Sequence, residues 1–116
     1  MKVYQYIRCS TCRNSLKFLD AHDIPYEKIE ITETPPSIEE LAKMLKFQNG
    51  DIKKLFNTSG QVYREMQVKD KLPAMSKEEA FELLNSNGKL VKRPFVLGKD
   101  KGLVGFKEDK WKEELL

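Results

Sequence analysis

Over residues 2–7 the β-branched and aromatic side chains Val3, Tyr4, Tyr6 and Ile7 run without a breaker, which predicts a buried strand. The period then changes. From Thr11 to His22 the apolar positions Cys12, Leu16 and Leu19 recur at helical spacing and Phe18 widens the face, with Ser10 or Thr11 placed to cap the start. Ile24 and Pro25 end that helix, and residues 26–31 predict a second strand with Ile29 and Ile31 on one side. Strand, helix and strand in about thirty residues make a βαβ unit, right-handed if its strands are parallel.

The pattern after residue 33 is helical. Thr34, Pro35 and Pro36 break the chain, and Ser37 with Glu40 forms a capping box opening a helix whose apolar face is Ile38, Leu41, Ala42 and Leu45. Residues 48–75 are less regular, with turns at Asn49-Gly50 and Ser59-Gly60 and short helical pieces over 51–55 and 62–68. A second capping box, Ser76 with Glu79, starts a helix with Ala80, Phe81 and Leu84 inward, ending at Asn87-Gly88. Strand signals return at Phe95–Leu97 and Leu103–Phe106, on either side of a glycine-bounded turn, and predict a hairpin. Glu108 and Asp109 suit the start of a last helix anchored by Trp111 and Leu115. The order is βαβ, a helical block over about 33–88, then ββα around one mixed sheet of four strands, within a single domain over residues 1–116.

Composition narrows the setting. The chain has 116 residues, 21 basic against 18 acidic, and a formal net charge of +3, which is the balance of a solvated mixed surface. Lys89, Lys92, Arg93, Lys99 and Lys101 form its strongest basic cluster, but no aromatic residues interleave it, so direct nucleic-acid binding is not expected. No apolar run approaches the roughly 20 residues that a bilayer requires, and the first residues lack the apolar stretch of a signal peptide. A cytoplasmic protein without a membrane partner is the expectation.

Two cysteines, Cys9 and Cys12, then carry the chemistry. In a reducing compartment a Cys-x-x-Cys pair is more often catalytic or metal-binding than a structural disulfide. A zinc site wants four ligands, and the chain offers two thiols and the distant His22, so no metal is expected. The pair stands where a strand runs into a helix, and the unpaired amides and dipole there favour a thiolate over its ordinary pKa of about 8.5. Cys9 is expected to face solvent as nucleophile. Cys12, in the first helical turn, is expected to be more buried and to resolve the mixed species by closing a Cys9–Cys12 disulfide. Arg8 and Arg13 add positive charge beside them.

Arg93-Pro94 leads into the third strand, where a thioredoxin-like fold places a cis-proline opposite its cysteine loop. Arg93 would then aim its guanidinium at that loop and hold an anion. His22 reads as a solvated or capping residue, Arg64 and Glu65 as an exposed helix face, and Trp111 as core.

The run from Cys9 to Asn14, together with Tyr63-Arg64-Glu65, Lys92-Arg93-Pro94 and the stretch from Val104 to Asp109, resembles the bacterial arsenate reductase (ArsC)/Spx family over nearly the whole chain. The resemblance implies a thioredoxin-like α/β fold with a helical insertion. It also implies three functions. A reductase-like branch would use Cys9 and Cys12 on a thiol or disulfide substrate, supported by Arg13, Arg93 and Pro94. Such a branch needs no bound cofactor and takes its electrons from a thioredoxin, a glutaredoxin or a low-molecular-weight thiol. The Spx branch implies a redox-sensing regulator that binds RNA polymerase at the carboxy-terminal domain of its α chain, with Gly50 and Arg93 near its contact positions. The arsenate reductases imply one cysteine, matching Cys9, and three oxyanion-holding arginines, of which only Arg93 has a clear counterpart here. The place before Asn57 has none, and the last falls near Gly105. The stretch from Asn57 to Gly60, and an end at Leu116 without the basic extension of Spx, lean the resemblance to the reductase-like branch.

Overall fold

The computed structural model describes all residues, 1–116. Its first strand, β1, spans Lys2–Gln5, shorter than the apolar pattern suggests. The backbone gives the reason. Ile31 N–H donates to the Gln5 carbonyl at 2.8 Å, but the next carbonyl, that of Tyr6, accepts from Cys9 N–H at 3.0 Å. That turn takes Tyr6 and Ile7 out of the ladder and leaves Ile7 70% exposed.

Three further strands complete a mixed sheet: β2 (Glu27–Glu30), β3 (Phe95–Leu97) and β4 (Gly102–Val104), in the order β2-β1-β3-β4. β1 and β2 run parallel and the other two pairs antiparallel, as a βαβ unit joined to a hairpin requires. Register divides the sheet into two apolar faces. Tyr4 pairs with Phe95, and both enter a cluster of 15 buried residues. Val3 pairs with Val96 and Val96 with Leu103, and these three enter a cluster of six on the other face. At the edge, β2 buries little: Ile29 is only half-buried and Ile31, just past the strand, carries that side's burial.

Helices cover both faces. On the smaller cluster lie α1 (Ser10–Ala21), through Phe18 and Leu19, and α6 (Glu108–Leu115), through Trp111. The Trp111 ring meets Phe106 edge-on at 4.8 Å, and its Nε1–H donates to the Gly105 carbonyl at 3.1 Å. Fully burying such side chains stabilises by about 1.5–3 kcal/mol each. On the larger cluster lie α2 (Ile38–Phe47), α3 (Gln61–Glu65), α4 (Val68–Lys71) and α5 (Lys77–Ser86).

Both capping boxes form, Ser37 with Glu40 and Ser76 with Glu79. Three local expectations need correcting. Ile38 is 45% exposed and Met44 takes its place in the core, because the periodicity of an isolated helix does not say where its neighbours end. The helical piece over 62–68 is two short helices, broken at Gln67, whose φ of 53° is left-handed. The start of α1 is capped neither by Ser10 nor by Thr11 but by Cys9, which holds an extended backbone and accepts a hydrogen bond on sulfur. At the far end of α5, Gly88 brings the chain against β2: a Cβ there would lie 1.9 Å from the Ile31 carbonyl oxygen.

Candidate active site

Cys9 and Cys12 meet at the first turn of α1. Cys9 is half-buried and Cys12 fully buried, and both are free thiols. The Cys12 amide N–H donates to Cys9 Sγ at 3.3 Å, so the sulfur itself satisfies one of the amides that a helix start leaves without an intrahelical partner. Partial burial alone would raise the Cys9 pKa. The thiol and amide of Cys12 and the charge of Arg93 outweigh it, and the net result is a pKa below the ordinary thiol value. Cys12 goes the other way. Burial first, and then its role as proton donor to Cys9, push it up to about 12. The two sulfurs therefore divide the roles: one ionises readily at the surface and the other keeps its proton beneath it.

The Arg93–Pro94 peptide is cis, the conformation expected from its place before β3. Pro94 is buried, and its carbonyl accepts from Gly105 N–H at 2.9 Å, which ties this wall of the site to the exit of β4. Arg93 reaches the cysteine loop by lying over the Tyr6 ring, with its guanidinium carbon 4.8 Å from the ring centre. Tyr6 escaped the sequence reading. Its aromatic type was visible, but its role depends on a residue far along the chain and on β1 ending one position before it.

Arg13 is placed differently from Arg93. Its guanidinium donates to the Ile7 carbonyl at 2.9 Å, bracing the loop between β1 and α1, and it is not among the groups that shift Cys9. Tyr63 is buried against Phe56, while Arg64 is exposed and donates to the Ser59 carbonyl at 2.8 Å. His22 caps the opposite end of α1, edge-on to Phe18 at 4.4 Å. The structure thus brings Cys9, Cys12 and Arg93 together, with Tyr6 beneath the arginine and Pro94 joined to it by the cis peptide. A half-buried thiol of lowered pKa with a second, more buried thiol one turn on is the arrangement that thiol–disulfide exchange requires. A single guanidinium beside it supplies one cationic fork for a substrate anion.

Comparison with known proteins agrees in kind. Residues 4–114 match the model of the ArsC family. The uncharacterised protein YusI of Bacillus subtilis is 47% identical over 95% of this chain and 93% of its own. A solved structure from Bacteroides fragilis, described only as related to the ArsC family, is 43% identical with a TM-score of 0.88, covering 97% of this chain and 96% of that one. The global transcriptional regulator Spx of Listeria innocua is 29% identical over 92% of this chain and 80% of its own. No helix of the structure is long and apolar enough to cross a membrane.

Proposed function

The chain belongs to the ArsC family, which is a family of thiol redox proteins, and from that premise we propose that it is a reductase of thiol or disulfide substrates working through Cys9 and Cys12. The observation that carries this reading is the placement of the pair at the head of α1, where the Cys12 amide donates to Cys9 Sγ at 3.3 Å and Arg93 stands near, so that the Cys9 pKa is lowered while burial raises that of Cys12. The Cys9 thiolate attacks one sulfur of a substrate disulfide. The S–S bond breaks, a Cys9 mixed disulfide forms, and the other half leaves as a thiolate. Cys9 has then lost its negative charge, so one of the causes that held the Cys12 proton is gone and Cys12 becomes easier to ionise. The departing thiolate takes that proton. Cys12 attacks Cys9 Sγ, the Cys9–Cys12 disulfide forms, and the second substrate thiolate leaves. Two electrons have passed from the pair to the substrate. A dithiol donor of the thioredoxin or glutaredoxin kind, or two molecules of a small thiol, returns them by the reverse exchange. Arg93 holds negative charge near the sulfur, Pro94 shapes the opposite wall, and Arg13 keeps the loop in place.

Alkylation of the reduced protein with iodoacetamide across pH tests the reading. A Cys9 pKa below that of free cysteine is expected, together with mixed disulfides trapped by Cys12→Ser and none by Cys9→Ser. A Cys9 pKa at or above the free value overturns it.

The likeness to Spx favours a second reading, a redox-sensing regulator that binds RNA polymerase at the carboxy-terminal domain of its α chain. A pull-down with that domain, run on reduced and on oxidised protein, separates the two: equal absence of binding in both states removes this alternative. Arsenate reduction is the third. One guanidinium near Cys9 is a weak cradle for a multiply charged oxyanion, so arsenate turnover with every thiol donor is expected to be absent, and turnover dependent on Cys9 would restore it.

A further inference from the structure

Away from the cysteine pair, the molecule has a cleft of about 540 Å³ whose lining includes Lys53, Lys54, Lys92, Lys107 and Lys110. Asp51 is the one acidic residue in its lining, so five lysines stand against a single carboxylate there, in a chain whose whole net charge is +3. The molecule's three ion pairs use only one of these lysines, Lys110, at 3.9 Å from Glu114. Lys53, Lys54, Lys92 and Lys107 have no acidic partner.

The walls are held in place. A 3-10 turn over Ile52–Leu55 carries Lys53 and Lys54, and the Lys92 amide donates to the Leu55 carbonyl at 2.8 Å, beside an antiparallel bridge between Phe56 and Val91. Gly105 has a left-handed φ of 73°, and a Cβ on it would lie 3.2 Å from Lys92 Cε, so the lysine stem runs close over the glycine. Trp111 closes the third side by its bond to the Gly105 carbonyl. Four lysines without an acidic partner on one lining offer several charge-assisted donors to an anion that carries several charges.

We propose that this cleft binds a compact polyanion carrying two or more phosphoryl groups. Several separate ammonium groups call for several negative charges, each met by a charge-assisted hydrogen bond. The volume lies in the range of small-molecule sites. A nucleic-acid duplex would instead be met by an extended stripe of cations along an open face. The nearly full burial of Phe56 and Trp111 leaves no ring to stack on a base, so the phosphoryl groups are what the cleft recognises.

The test is titration of the reduced full chain with sodium tripolyphosphate, followed by amide chemical shifts in solution. Shifts are expected at residues 53–56, at Lys92 and at 105–111, with affinity about tenfold or more above that for sulfate and falling as salt rises. The pair Lys53→Glu and Lys54→Glu is expected to weaken binding about tenfold or more, whereas Lys43→Glu with Lys46→Glu, in the separate groove beside Tyr4 and Glu40, leaves it unchanged. Cys9→Ser also leaves it unchanged, so the result stands apart from the thiol chemistry. Shifts scattered over all lysines, affinity no better than for sulfate, or tighter binding of a short DNA duplex to the same residues would each overturn the proposal.

Discussion

The Arg93 guanidinium rests on the face of Tyr6, 4.8 Å from the ring centre, and through that contact a residue just ahead of β3 is set beside the sulfur that caps α1. The ring limits where the guanidinium goes, at a gain of about 0.5–1 kcal/mol for an exposed pair and more where water is excluded. Tyr6 is therefore a positioning residue: it touches neither sulfur as a reactant but sets the charge that one of them feels.

Tyr6→Ala is expected to raise the Cys9 pKa toward that of a free thiol and to slow alkylation near neutral pH, while Tyr6→Phe, which keeps the ring, restores both. Arg93→Ala is expected to raise it further. The pH profile of alkylation checks this, and equal profiles for Tyr6→Ala and the parent would remove the role given to the ring.

The Cys12 thiol predicts a stability change in alkali. Its folded pKa, about 12, lies well above that of an ordinary thiol, so the protonated form is favoured by folding. Its contribution is complete below the ordinary thiol value and is lost as pH rises toward 12. Cys9, with a lowered pKa, has the opposite sign: its contribution grows as pH rises through the folded value and is complete above the unfolded one. Denaturant midpoints of the reduced protein are expected to fall between pH 9 and pH 12 more steeply than those of Cys12→Ala. Parallel slopes would contradict the assignment.

Gly88→Ala is expected to destabilise by about 2 kcal/mol or more, since the new methyl would meet the Ile31 carbonyl and force the end of α5 away from β2. Urea unfolding measures it. Gly50→Ala makes a useful contrast: that glycine has open space around it, and only its φ of 78° opposes a side chain.

The two capping boxes look alike in sequence but carry different loads. Glu40 also accepts from the buried Tyr4 hydroxyl at 2.6 Å and pairs with Lys2 at 3.2 Å, joining α2 to β1, whereas Glu79 serves its own helix alone. Glu40→Ala is expected to cost about 1–3 kcal/mol from the unpaired Tyr4 hydroxyl in addition to the lost cap, and Glu79→Ala less. Thermal unfolding of the two variants orders them.

Much of this was legible in the chain because the signals were local. Ser37 with Glu40, and Ser76 with Glu79, declare helix starts within four residues, and the alternation around Phe95 and Leu103 declares a hairpin. The cysteine pair could be placed because a strand pattern stops and a helical one begins beside it. What escaped depended on partners distant in sequence or on unusual donors and acceptors. Ile38 and Met44 exchange places because burial is decided by the neighbouring elements and not by spacing within α2. Gln67 breaks its helix without being a glycine or a proline. Cys9 is not among the residues ordinarily expected to cap, so Ser10 and Thr11 drew the assignment instead.

The cap at Cys9 bears on the proposed cycle. Because the reactive sulfur also seats the head of α1, an amide grips it hardest while it carries negative charge. Forming a covalent bond to substrate replaces a charged acceptor with a neutral one and slackens that grip. In the proposed cycle the first turn of α1 is therefore capped most strongly when Cys9 is a thiolate, and return of electrons to the pair restores that cap together with the nucleophile.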